Sequence, residues 1–412
     1  MSARHRDRAA EPAAQRGEAA RSTQPLAGVR VLDLTRLLPG PVCTLYLADL
    51  GANVVKIEDT AAGDYARGLG ARPDCVSSFF RAVNRNKRSI ALDLKDQRGR
   101  AAFHSLARDA DALVESFRPG VMAALGIDYA ALAAINPRIV YTSITGYGQS
   151  GPRAKLAGHD INYLGYAGVL DQTGARGGPP VVSNLQIADL LGGAASAAIA
   201  LLAALFDARR SGRGRQIDIA MADASLAHNI MPLAALDDRG ELCDRGDDLL
   251  TGGVPCYGVY PTQDGRWLAV GALEAKFWTA LCGALGRRDL VASQLARGEE
   301  GARVRGELER IFAGAPLAAW VERLGTVDCC VTPIATLDEA LADPQFAARE
   351  MVLTRNDGSR AYAPPFKVSN TAFAETREAP RQGEHSAEIL REAGYDDSTI
   401  AALAAAGVVK TS

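Results

Sequence analysis

Val29–Glu58 reads VRVLDLTRLLPGPVCTLYLADLGANVVKIE, and its two ends are apolar runs rich in Val, Ile and Leu. That composition predicts strands over Val29–Leu34 and Asn53–Glu58. Between them Pro41–Leu50 predicts a helix, with Gly51 placed to close it. Strand, helix and strand in one short stretch form a βαβ unit, whose crossover makes the two strands parallel. The rhythm continues downstream. SIALDL (Ser89–Leu94) predicts a strand, Gln97–Ala110 a helix, and ALVES (Ala112–Ser116) and RIVYTSIT (Arg138–Thr145) two more strands. Strands this apolar must be buried on both faces, so the expected class is α/β, a large Rossmann-like domain in which helices cover a parallel sheet.

Around Gly252 the texture changes. CYGVYPTQDGRWLAVGA (Cys256–Ala272) alternates apolar and polar residues around Asp264-Gly265, which predicts a two-residue hairpin and the start of a smaller α+β domain. Helices near Glu274–Leu285 and Pro316–Leu324 and the strand-like CCVTPI follow. Thr336-Leu-Asp-Glu339 is a capping box opening another helix, which Asp343-Pro344 interrupts. Beyond Met351 the chain reads as extended and finishes in two short helical segments, one ending at Gly394. Leu190–Phe206 carries no charge, but its many Ala and Gly residues predict a weakly hydrophobic buried helix rather than a membrane span.

With 46 Lys and Arg against 48 Asp and Glu the chain has almost no net charge. Nothing therefore favours nucleic acid, and any anion site must be local. Cys329-Cys330 is the only close pair among the seven cysteines. Adjacency suits neither a disulfide nor a zinc site, so reduced thiols, a cytoplasmic location and no metal are expected. The first 24 residues lack an apolar core and mix Asp7, Glu11 and Glu18 with arginines, which predicts a disordered tail rather than a targeting peptide.

Gly146, Gly148 and Gly151 spell GxGxxG straight after a strand. Pro152 and Gly158 spoil the helix start that a dinucleotide site needs, so a loop whose glycines let backbone approach a ligand is the better reading. Longer motifs carry more. LDLTRLLPGP (Leu32–Pro41), LADLGANVVKIE (Leu47–Glu58), NRNKRSIALDLK (Asn84–Lys95), SFRPGVM (Ser116–Met122), TGYGQSGP, GHDINY (Gly158–Tyr163), GRGRQIDIAMAD and the terminal LREAGYDDSTIAALAAAGVV together resemble the family III CoA-transferases. The resemblance runs from about Leu26 to Val408, and GHDINY is most similar to the α-methylacyl-CoA racemase branch. It implies a large domain made from both chain ends, an acyl-CoA substrate with no separate cofactor, and an interlocked homodimer in which acyl-CoA faces the partner's small domain. The expected division is a tail over 1–24, the first part of the large domain over 25–230, a linker over 231–250, the small domain over 251–335, a linker helix and return over 336–362, and the rest of the large domain over 363–412.

By the same likeness His159 and Asp189 fall on the racemase's two catalytic bases, and Glu274 on the acid that hydrogen-bonds the histidine. Transferases of the family place an acyl-carrying aspartate where Asp189 stands and usually an aromatic residue where His159 stands. A thioester α-proton has a pKa of roughly 20, so its removal by imidazole is uphill by about 19 kcal/mol. Fixed donors, such as backbone N–H groups around Gly158–Asp160, must then hold the enolate oxygen. Plainer readings stand beside these. Asp189 also reads as the N-cap of the apolar helix, where the dipole favours the carboxylate form. His159 also reads as a loop histidine bonded to backbone, and Glu274 as a stabilising first-turn acid. For the CoA phosphates Lys56, Asn84, Arg85, Lys87, Arg88 and Arg118 are candidates, with Ser116, Phe117, Gly158, Asp160 and Tyr163 as further ligands; a solvated basic face is the plainer alternative. Arg36 and Leu38 stand where oxalate-type transferases keep histidine and glutamine, and Ala123-Ala124 where many relatives keep a charge. The expected activity is C2 proton exchange on a 2-methylacyl-CoA. A CoA-transferase working through Asp189 is the alternative, and a non-catalytic acyl-CoA-binding protein a third.

Overall fold

The computed structural model describes residues 24–70, 76–355, 357–371, 373 and 375–411. The tail expected over 1–24 therefore lies outside the described residues, Gln24 excepted. The chain divides into two units, one built from residues up to Ala167, Leu185–His228 and Met351 onward, the other from Gly168–Asn184 and Asn229–Glu350.

In the first unit β1 (Arg30–Leu34), α1 (Pro39–Asp49) and β2 (Asn53–Glu58) form the βαβ unit, with β1 and β2 parallel. The helix α1 starts two residues before its predicted position, because Pro39 and Pro41 occupy a first turn that needs no N–H donors. Next come α2 (Ser78–Asn84), β3 (Arg88–Leu92), α3 (Gln97–Arg108), β4 (Ala112–Glu115), β5 (Val140–Thr145) and α4 (Asp160–Tyr166). A π-helical turn, Ala188–Ala195, runs into α5 (Ser196–Ser211), followed by β6 (Gln216–Ala220) and α6 (Met221–His228). The sheet runs β3-β2-β1-β4-β5-β6, with the last strand of the chain, Val409–Lys410, antiparallel on the outside of β3. This is the doubly wound strand order, so the class is mixed α/β with a parallel-dominated sheet. Strand residues Leu32, Ile57, Ile90 and Leu113 pack with Phe103 of α3 and with Ile389, Leu390 and Leu403 from the C-terminal helices. Both chain ends thus build one core.

Helix α5 departs from expectation. Leu201 and Leu205 are buried toward the sheet, but Ile199 is 70% and Phe206 74% exposed, so the apolar helix is covered on one side only. Ala188–Ser211 is, among the described residues, the one helix long and apolar enough to cross a membrane, and it packs on β5 and β6.

In the second unit α7 (Ile230–Arg239) occupies part of 231–250. It is followed by β7 (Tyr257–Pro261), β8 (Trp267–Gly271), α8 (Ala275–Leu285), α9 (Gly298–Phe312), α10 (Leu317–Leu324) and β9 (Val331–Pro333). The three strands form an antiparallel sheet over a core of Tyr260, Trp278, Phe312 and Trp320. The β7–β8 hairpin closes on Pro261 and Trp267, so its loop is Thr262–Arg266 rather than two residues. Asp264 is drawn away from a tight turn because its carboxylate accepts the Leu317 N–H at 3.2 Å and the Thr262 hydroxyl at 2.5 Å.

Candidate active site

The strand order reverses beside β1, which has β2 on one side and β4 on the other. In open α/β sheets ligands bind in the crevice outside the C-terminal ends of such neighbours. The loops after β1 and β4 border it, and the Arg36 N–H donates to Ser116 Oγ at 3.2 Å. Beneath them lies a buried charge network. Lys56 and Lys87 are fully buried and pair with Asp64 at 2.8 Å and Asp33 at 3.0 Å. Lys87 Nζ also donates to Asn84 Oδ1 at 2.9 Å. Burial alone would raise the Asp33 pKa, but Lys87 and Lys56 overcome it and hold the carboxyl at about 2. Arg85 pairs with Asp49, and Arg88 with Glu388 and Glu392 on the C-terminal helix Ser386–Glu392. The expectation that Lys56, Asn84, Arg85, Lys87 and Arg88 hold CoA phosphates does not fit this burial. A cation keeps its charge inside a fold only beside a carboxylate, and here the pairs tie sheet, α1 and C-terminal helix together.

His159 precedes α4 in extended backbone, with its side chain exposed. Its N–H donates to Asn162 Oδ1 at 3.0 Å and its carbonyl accepts the Asn162 N–H at 2.8 Å. The next residue, Asp160, reaches across to the π-helical turn, where its Oδ1 accepts the Asp189 N–H at 3.0 Å. One hydrogen bond therefore joins the GHDINY motif to Asp189. Tyr163 donates its hydroxyl to the Gly158 carbonyl at 2.5 Å. A Cβ at Gly146 or Gly158 would stand 2.3 or 2.7 Å from that ring, so the first glycine of GxGxxG serves packing.

Asp189 sits within the π-helical turn and not at its cap. The turn packs through small residues: a Cβ at Gly193 would lie 2.7 Å from the Pro39 side chain, and one at Gly192 would lie 2.9 Å from the Met221 carbonyl oxygen. Burial pushes the Asp189 carboxyl up, and the negative charge of Asp160 adds to this, to about 7. Desolvation thus outweighs the helix-end effect expected from an N-cap. Tyr163 is pushed to about 12 by burial and then by Asp189, with Arg118 opposing, which places Arg118 electrostatically on the same site. Arg118 is exposed and has no ion pair among the described residues. Phe117 is held by its N–H donating to Glu115 Oε2 at 2.8 Å. Glu274 lies in the second unit, exposed, at the N-cap of α8 without a side-chain capping bond. Among the described residues no cluster of His, Cys, Asp or Glu gathers to hold a metal.

The CoA-transferase family III profile matches residues 26–386. The chain belongs to CoA-transferase family III. It is similar to human alpha-methylacyl-CoA racemase, 34% identical over 382 residues that cover 91% of this chain and 95% of the racemase. It is equally similar to the succinate–glutarate CoA-transferase of Agrobacterium fabrum, 34% identical over 392 residues covering 89% and 95% of the two chains. A solved CaiB/BaiF family protein from Brucella suis superposes with a TM-score of 0.78 at 29% identity, over 90% of this chain and 99% of that one. The protein is an enzyme of the racemase or transferase kind.

For this family III enzyme the raised Asp189 pKa has a consequence for stability. The folded state holds that proton more tightly than the unfolded chain, so ionisation opposes folding. The contribution is fully favourable below the ordinary carboxylate pKa of about 4 and is lost as pH rises to about 7. Asp189→Asn removes the ionisation. Its melting advantage over the parent should grow from pH 5 to pH 8 and reach about 2 kcal/mol there, the full shift being discounted for partial exposure. Thermal melts at both pH values check this, and equal melting at pH 8 contradicts it.

Proposed function

We propose that this enzyme exchanges the C2 proton of a 2-methylacyl-CoA thioester, interconverting the two epimers through an enolate. The observation that supports it best is the Asp160 bridge. Asp160, the neighbour of His159 in the chain, holds the Asp189 backbone, which supports a site shared by two proton carriers, and burial raises the Asp189 carboxyl to about 7, where it can both take and give a proton. In one direction the Asp189 carboxylate takes the C2 proton, the C–H electrons move toward the thioester oxygen, and the imidazolium of His159 returns a proton to the opposite face. The reverse direction exchanges the roles. Backbone N–H groups around Gly158–Asp160 take up the enolate charge. No cofactor is needed beyond the CoA carried by the substrate. The test is deuterium incorporation at C2 in D₂O without any acceptor acid. CoA passed to an added carboxylate with C2 protons retained assigns the protein to transfer instead.

The same reading includes a cytoplasmic homodimer in which the partner subunit's Glu274 faces His159. The exposed apolar side chains Ile199 and Phe206 on α5 support an interface. His159→Ala and Glu274→Ala chains should each be inactive as pure dimers. Refolded together, they should recover roughly a quarter of parental activity, since half the dimers are mixed and each mixed dimer keeps one intact site. A fully active monomer in sedimentation rejects the shared site.

A further inference from the structure

At the other end of the parallel sheet, away from the crevice, a cavity of about 510 Å³ opens. Arg30 and Arg138 reach it from the N-terminal ends of β1 and β5, Arg108 from the last turn of α3 and Arg209 from the last turn of α5. A cation in a last helical turn ordinarily answers the negative end of the helix. Here other groups serve those ends. Asn136 donates its side-chain N–H groups to the Ala107 and Ala110 carbonyl oxygens at 3.0 and 2.7 Å where α3 stops, and the Gly212 N–H donates to the Ala208 carbonyl oxygen at 2.9 Å where α5 stops. Arg138 ends no helix, and Asn136 Oδ1 fixes its backbone N–H at 3.1 Å.

Arg108, Arg138 and Arg209 are exposed, and none has an ion pair among the described residues. Arg30 has Asp109 alone, at 3.9 Å. Asp111, the other carboxylate in the cavity wall, accepts the Arg30 backbone N–H at 2.8 Å. Four guanidinium groups thus face two carboxylates, whereas Arg67, Arg85 and Arg88 of the same unit are each matched to an acid. Gathered like charges repel one another, and an anion set between them removes the repulsion. Guanidinium forks take phosphate or carboxylate oxygens in pairs. At about 30 Å³ per water the space exceeds what a single oxyanion fills, and two surplus positive charges match a ligand with at least two anionic groups.

We propose that this cavity binds a small polyanion, a molecule carrying two or more phosphate or carboxylate groups, at a site separate from the crevice. No residue of the racemase reading takes part, so neither depends on the other. The test is titration calorimetry of the full-length protein with inorganic pyrophosphate and with citrate at fixed ionic strength. Parent, Arg138→Ala, Arg209→Ala and Asp109→Asn proteins are compared, with melting temperatures as a control on folding. The parent should bind one anion per chain, and the tighter of the two names the ligand's groups as phosphate or carboxylate. Arg138→Ala and Arg209→Ala should each weaken that binding about 10-fold, the loss of one charged hydrogen-bonding group. Asp109→Asn should tighten it, because an opposing carboxylate goes, and a damaged fold cannot produce a gain. Affinity unchanged by both alanine variants overturns the inference, and displacement by CoA then places the anion in the crevice. A parent that binds neither anion overturns it as well.

Discussion

Asp189→Asn is expected to lower the rate of epimer interconversion by about 10³-fold while leaving KM within about threefold, the size of effect that a positioned proton carrier supplies. Asparagine preserves the shape of the side chain and leaves the Asp189 backbone N–H on Asp160, so the turn has no reason to move. What disappears is a group that ionises near neutrality. The two-base scheme makes a sharper demand as well. With one base gone, the other still exchanges the proton on its own face, so deuterium should enter one epimer only, with retention. His159→Ala should show the mirror pattern in the other epimer. In a transferase Asp189 would attack the thioester and carry the acyl group, and hydroxylamine would trap it during turnover. A trapped Asp189, with C2 protons unchanged, transfers the protein to that chemistry.

The parallel strands were legible because burial on both faces enriches them in Val, Ile and Leu, as in RVLDL, NVVKIE, RSIAL and ALVE. Strand β6 was not, since Gln216–Ala220 lies at the sheet edge with exposed and half-buried residues alternating. His159 and Asp189 became candidates through motif likeness and not through spacing. The bond that joins Asp160, beside His159, to the Asp189 backbone runs from a side chain to a backbone N–H across twenty-nine positions, and nothing local announces it. The π-helical turn is equally silent: its Ala and Gly content reads as a plain apolar helix, while the need for Gly192 and Gly193 comes from Met221 and Pro39, which only the fold supplies. Arg36 stood out in the sequence only as a departure from related chains. The Tyr65 and Phe117 rings beside its guanidinium meet there from two different loops.

The basic run NRNKRS shows most plainly what a sequence withholds, and Lys87→Met tests it. Lys87 is fully buried, and Asp33, Asn84, Thr44 and the Pro41 carbonyl oxygen all accept from its Nζ within 3.0 Å. Methionine fills the space but leaves Asp33 in the interior with only Lys56 to balance it. The expected cost is about 3–5 kcal/mol, the range for removing one partner of a buried ion pair, read as a lowered urea midpoint with unchanged slope. Adding Asp33→Asn should recover part of that loss, because the stranded charge goes too, whereas two independent destabilising changes would add. A phosphate ligand behaves in the opposite way. A cation that faces CoA has no buried carboxylate to strand and is repelled by its basic neighbours when the ligand is absent, so its removal would leave the midpoint unchanged or raise it while raising the KM for acyl-CoA. Which of the two responses appears decides whether the cations of this run hold the sheet together or face the substrate. The hydrogen bonds to Asp33, Asn84 and Pro41 set the expectation firmly on the first.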